Sequence, residues 1–170
     1  MRFRASSLTA CLSSLAVLLL LAACGPATET VPITQEKAAE ALRSRLESAQ
    51  LDVSWLAKSQ RSDFFDSGVR RATLQIGSSS DSLINLYRFP DARQAAAAAA
   101  RVSRNGMQVP IGGSIASVSW TGRPHFFRQG RLIALFCESG DVQPITSTDR
   151  RILAALQEVM GSQFAGLSRE

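Results

Sequence analysis

Apolar residues fall along this chain in three rhythms. From Leu8 to Ala23 they are nearly continuous, with an unbroken heart from Leu15 to Leu21. After that stretch the pattern turns periodic. Ala38, Ala39, Leu42, Leu46 and Ala49 recur at helical spacing, with Thr34 placed to cap and Glu36 in the first turn, which predicts a helix ending near Gln50. Leu51–Leu56 alternates as a strand does, and Ser59 to Gly68 reads as a polar loop whose Phe64-Phe65 pair is expected to tuck in. Ala72–Ile76 and Leu83–Phe89 predict two further strands, joined as a hairpin by the turn-rich segment Gly77 to Ser82. Pro90 and Asp91 stand where helix-opening residues belong, ahead of the alanine run Ala95–Ala100, and Asn105-Gly106 marks the end of that element.

The second half repeats the alternation. Strands are predicted over Ile115–Trp120, Arg123–Arg128 and Arg131–Cys137, the last two joined by a tight reversal at Gln129-Gly130. A final helix starts near Ser147-Thr148-Asp149, places Ile152, Leu153, Leu156, Val159 and Met160 on one face, and stops at Gly161. The order α-β-β-β-α-β-β-β-α predicts an α+β domain, an antiparallel sheet with helices packed on one face. Its two α-β-β-β halves do not align residue by residue. The hairpin carries apolar residues on both faces, Phe126, Ile133 and Leu135 on one and Phe127, Leu132 and Phe136 on the other. With helices on one side only, the second face needs a cover, a ligand or a partner.

The continuous apolar stretch has a different meaning. Met1-Arg2-Phe3-Arg4 supplies a positive start, the apolar heart follows, and small residues close it, which is the layout of a secretory signal. Its 16 residues fall short of the roughly 20 that a spanning helix needs. The junction Leu21-Ala22-Ala23-Cys24 resembles the lipobox of bacterial lipoproteins, in which the signal is cut before the cysteine and the cysteine is acylated. That resemblance implies a lipidated Cys24, usually with three acyl chains. Each buried methylene contributes about 0.8 kcal/mol, so such attachment is effectively permanent. Residue 25 is glycine, not aspartate, which in the enterobacterial sorting rule favours the outer membrane.

Four parts are therefore expected: a signal peptide over 1–23, a lipidated tether over 24–33, one domain over 34–166 and a tail over 167–170. Gly25 to Ile33 contains two prolines, and nine residues reach at most about 30 Å, with a flexible-chain average of about 15–18 Å. The domain is thus expected to work close to the bilayer. Tyr87 to Ala92 ahead of an alanine helix, Trp120 to Phe127, Gly130 to Ile133 and Gly161 to Gly166 look like segments of a group of small bacterial envelope lipoproteins without an assigned activity. The resemblance implies export and envelope attachment and assigns no catalytic residue, cofactor or metal.

Charge and cysteine content narrow the chemistry. Removing the signal leaves 147 residues, enough to bury a core without disulfides, and lowers the formal charge from +5 to +3 because Arg2 and Arg4 go with it. The remaining arginines are scattered among carboxylates along the sequence, which argues against a nucleic-acid binder. Cys137 stands alone in the body, expected to be a small buried apolar residue. His125 is the single histidine, so multi-histidine metal and catalytic sites are excluded within one chain.

A base–nucleophile pair of His125 and Cys137 fails on strand geometry. With a two-residue turn at Gln129-Gly130, His125 lies opposite Ala134, on the face of Leu132 and Phe136, and Cys137 points to the other face. A three-residue loop brings both to one face but about 13 Å apart, beyond hydrogen-bond reach. The acids Asp63 with Asp66 and Glu138 with Asp141 fall in predicted loops and read as solvated. No Gly-x-Ser-x-Gly elbow is present, and Gly112-Gly113-Ser114 is too short for a phosphate cradle.

The expectation is a membrane-anchored, non-enzymatic envelope protein without cofactor or metal, exported and facing the periplasm from the outer membrane. It would dock on another envelope component through a surface that includes Trp120, His125, Phe127, Leu132 and Phe136. The alternative is a binding protein for a lipid or other small apolar ligand, held in a pocket lined by aromatics such as Trp55, Trp120, Phe126, Phe127, Phe136 and Phe164.

Overall fold

The computed structural model describes residues 32–62, 64–66, 68–78, 82–139 and 145–166. The segment 1–23 expected to be a signal peptide, Cys24, the expected tether as far as residue 31 and the expected tail 167–170 lie outside the described residues, as do Asp63, Asp81 and Asp141. Among the described residues no helix is long and apolar enough to cross a membrane.

A 3-10 turn, Ile33–Gln35, leads into helix α1, Lys37–Ser48. The helix starts later than the sequence pattern predicts. Thr34 lies in the 3-10 turn, and the capping position belongs to Glu36, which makes no side-chain capping bond. Three strands follow, β1 (Val53–Arg61), β2 (Arg70–Ile76) and β3 (Leu83–Arg88), then helix α2 (Ala92–Ala100). The Asp91 carboxylate accepts the Gln94 N–H at 2.8 Å and caps α2, so the alanine run begins as a helix where its propensity allows it.

Strands β4 (Gln108–Ile111) and β5 (Ser114–Ser117) make a small hairpin of their own. The strand expected over Ile115–Trp120 is therefore shorter and belongs outside the main sheet. Strands β6 (Gly122–Gln129) and β7 (Leu132–Ser139), helix α3 (Ser147–Met160) and the two-residue β8 (Ala165–Gly166) complete the chain. The main sheet has the order β1-β2-β3-β7-β6-β8, antiparallel throughout, which with the three helices makes an α+β fold.

The turn between β6 and β7 sits on Gly130-Arg131, one residue later than the sequence pattern suggests, because Gly130 takes the left-handed conformation, φ +55°, that the reversal requires. His125 consequently pairs with Phe136 instead of Ala134. The shift is even in register, so every side chain keeps its expected face.

Both faces of the sheet are covered by the chain itself. On the first, α1 and α3 bring Leu42, Leu46, Ile152, Leu156 and Met160 against Leu74, Ile84, Leu86, Phe127, Leu132 and Phe136. On the second, α2, the β4–β5 hairpin and the Phe64-Phe65 loop bring Ala95, Ala98, Val109 and Phe65 against Tyr87, Phe126, Ile133 and Leu135. The expectation of helices on one face only is thus corrected, since α2 packs on the second, and of the cover, ligand or partner expected there the chain itself supplies a cover. The physical reason is that an alanine-faced helix can lie close to a sheet, and two loop phenylalanines fill the space that it leaves.

Candidate functional site

The five residues expected to form a contact surface do not form one. Phe127, Leu132 and Phe136 are almost wholly buried under α1 and α3, and Trp120, partly buried, packs against the core on the opposite face. The Trp120 indole donates to the Gly106 carbonyl at 2.9 Å and lies 5.5 Å from the Phe64 ring and 6.0 Å from that of Phe126. These side chains hold the fold together. Trp55 likewise packs at the margin of the first core, and Phe126 and Phe164 belong to the second.

His125 is the exception in chemistry, though it is buried too. Its ring stacks on Phe136, with centroids 6.3 Å apart, and both ring nitrogens have oxygen partners. Nδ1 lies 2.9 Å from Gln163 Oε1, and Nε2 lies 3.1 Å from Glu138 Oε2. A neutral imidazole carries one N–H and donates to one of these oxygens, whereas an imidazolium donates to both. Glu138, read from the sequence as a solvated loop acid, is instead a strand residue only 1% exposed. Its position follows from the pleat: Glu138 lies two residues beyond Phe136, the partner of His125, and so shares the histidine's face.

Strands β6 and β7 and the segment after α3 thus meet at one polar point. The Phe164 N–H donates to the Phe126 carbonyl at 3.0 Å and carries Gln163 alongside His125. Gly166 makes this close approach feasible, since a Cβ at its φ of +121° would lie 2.0 Å from the Pro124 carbonyl oxygen. The cluster joins three segments by hydrogen bonds in an enclosed place, where a satisfied polar network specifies one arrangement of the chain.

Cys137 does not join it. It lies on β7 one residue from Phe136 and faces the second core, opposite His125, as the strand parity requires. Burial pushes its thiol up to about 11, so the reactive thiolate is scarce at neutral pH. Asp66 is held by structure as well, accepting the Gly113 N–H at 2.7 Å with Arg101 4.0 Å away, which ties the β1–β2 loop to the small hairpin.

The other concentration of charge lies at the end of the main sheet where the described chain begins. Arg61, Arg70 and Arg88 are direct cross-strand partners on β1, β2 and β3, Arg71 and Arg128 belong to the next row, and Arg131 sits in the β6–β7 turn. Glu36 pairs with Arg131 and lies 3.8 Å from Arg88. Burial, then the charges of Arg131 and Arg70, draw Arg88 below the usual guanidinium range, with Glu36 opposing them. Sequence spacing hid this cluster, because its members are up to 70 positions apart and meet only through strand pairing.

Compared with protein-family models, with curated proteins and with solved structures, the chain matches none.

Proposed function

We propose that this protein is an exported envelope lipoprotein, acylated on Cys24, facing the periplasm from the outer membrane, whose domain acts without catalysis by docking on another envelope component. The observation that carries this reading is the sequence Leu21-Ala22-Ala23-Cys24 at the end of a 16-residue apolar run, set nine positions ahead of Ile33, where the buried core begins. The domain's own architecture supports a role through its outer surface. Its apolar sheet faces are occupied by α1 and α3 on one side and by α2, the hairpin and the Phe64-Phe65 loop on the other. The half-buried thiol of Cys137 and the lone His125 point to opposite faces, which speaks for binding over catalysis.

A second reading, binding of a small apolar ligand, is favoured by one feature. Phe64, Trp120 and Phe164 are only partly buried and lie around Phe126 at the margin of the second core, where an apolar molecule would find aromatic surface.

The test is the intact mass of the protein extracted with detergent from a bacterial host, beside a Cys24→Ser variant. The proposal expects a chain starting at Cys24 with covalent acyl mass, and its loss in the variant. A wild-type chain without acyl mass would overturn it. A small-molecule adduct that survives native spectra and leaves on denaturation would put the second reading first.

A further inference from the structure

From the arginine-rich sheet end we infer that the domain rests against the anionic phospholipid headgroups of the leaflet that holds its anchor, with Arg61, Arg70 and Arg128 as the contacting cations. The inference rests on the lipoprotein reading for the anchor and on the fold for everything else. Three observations carry it.

First, the cations are real surface charges. Arg61, Arg70 and Arg128 are exposed, and among the described residues no carboxylate pairs with them. Glu36 is engaged by Arg131 and Arg88, Asp66 by Arg101 and the Gly113 N–H, and Asp91 by the start of α2.

Second, the arrangement is costly in isolation. Arg61 is the direct partner of Arg70, and Arg70 of Arg88, so three like charges stand on adjacent strands about 4.8 Å apart. Like charges directly opposite one another destabilise a sheet. A surface of phosphates relieves that repulsion, and guanidinium groups suit phosphate by their planar fork of donors.

Third, the chain enters the fold at this same end. The 3-10 turn Ile33–Gln35 packs on β1 and β2, and the next residue, Glu36, reaches Arg131 and Arg88. Cys24 is nine residues upstream of Ile33. An extended tether of that length spans at most about 30 Å and on average about 15–18 Å. A lipid on Cys24 therefore keeps this end, more than any other, near the headgroups, where attraction acts over about a Debye length of 8–10 Å. The opposite end of the α1–α3 pair, where Arg151 bonds the Ala49 carbonyl, is held away by the length of the domain.

The experiment is arginine labelling with phenylglyoxal, read residue by residue by mass spectrometry. It uses the full-length protein extracted from membranes and reconstituted into vesicles of phosphatidylcholine alone, or of phosphatidylcholine with one third phosphatidylglycerol. Arg61 and Arg70 should label about fivefold more slowly on the anionic vesicles at low salt and recover in high salt, as screened contacts do. Arg150 and Arg151 should label alike on both. Equal labelling of Arg61 and Arg70 on the two vesicles, with the protein acylated and vesicle-bound, would overturn this inference and leave the lipoprotein reading standing. Equal slowing at all four positions would also overturn it, as adsorption without orientation. A protein that carries no acyl mass and does not stay with vesicles would overturn the lipoprotein reading, and this inference with it.

Discussion

The two faces of the main sheet are covered by different means. The first is sealed by two helices of 12 and 14 residues, and apart from Phe127, Phe136 and the marginal Trp55 its contacts are aliphatic. The second is sealed by a nine-residue alanine helix, a four-residue hairpin strand and a loop, and its contacts include seven aromatic rings. Phe65 lies 5.1 Å from both Tyr87 and Phe89 in edge-to-face geometry, and Phe126 sits between Trp120 and Phe164 at 6.0 Å from each. Long amphipathic helices carry enough apolar side chain to cover a sheet alone. A short alanine helix does not, and here aromatic rings from segments far apart in sequence supply the missing area, each pair adding about 0.5–1.5 kcal/mol beyond the area it buries.

The largest effect is expected in the first core. Phe136→Ala removes a wholly buried ring beneath α1 and α3 and should cost about 3–5 kcal/mol, read as a shift of the denaturation midpoint at unchanged slope. Phe65→Ala, from a loop that can partly collapse, should fall below that. A larger loss for Phe65 would make the second face the stronger one.

Next in size is Gly166→Ala. The added methyl would meet the Pro124 carbonyl at 2.0 Å, so β8 must move off β6 at a cost of about 1–3 kcal/mol. Because Gln163 travels with that segment, the His125 ring signals should shift in the variant's NMR spectrum while those of α1 stay put.

The helix caps distinguish the two faces as well. Asp91→Ala and Thr146→Ala each remove a side chain that accepts an N–H of the first turn, and each should cost about 1 kcal/mol. The consequences should differ: amide exchange should quicken along the whole of short α2, but only in the first turn of α3.

A pH dependence adds to these on the second face. Below pH 9 the Cys137 thiol is protonated in both folded and unfolded chains and contributes nothing. From about 9 to about 11 the unfolded chain ionises while the folded chain holds the proton, so stability falls as pH rises through that window. Melting temperatures from pH 8 to 10.5 should drop more steeply for the wild type than for Cys137→Ala.

The same division decides how much could be read from the sequence. Helices α1 and α3 were legible because Leu42, Leu46, Ile152, Leu156 and Met160 recur with the helical period and meet one partner surface. The faces of Phe126 and Phe127 were legible because parity survives an even register shift. Strand β4 was not, since Gln108–Ile111 is four residues with a proline, and β8 has only two. Such short segments become strands through the partners that they meet. Glu138 looked like a loop acid for the same reason. Its environment is set by His125 across the hairpin and by a register that a one-residue change of turn position decides. The arginine row was equally hidden, because no local window holds Arg61, Arg70 and Arg88 together.

The second sheet face of the domain is closed by its own chain. Solution NMR of the purified full-length protein in detergent, with aromatic side chains labelled and no other protein present, tests this directly. Ring-to-ring nuclear Overhauser contacts are expected between Phe65 and both Tyr87 and Phe89, and between Trp120 and Phe126. Absence of these contacts in the folded protein would contradict it and leave the face open to a partner.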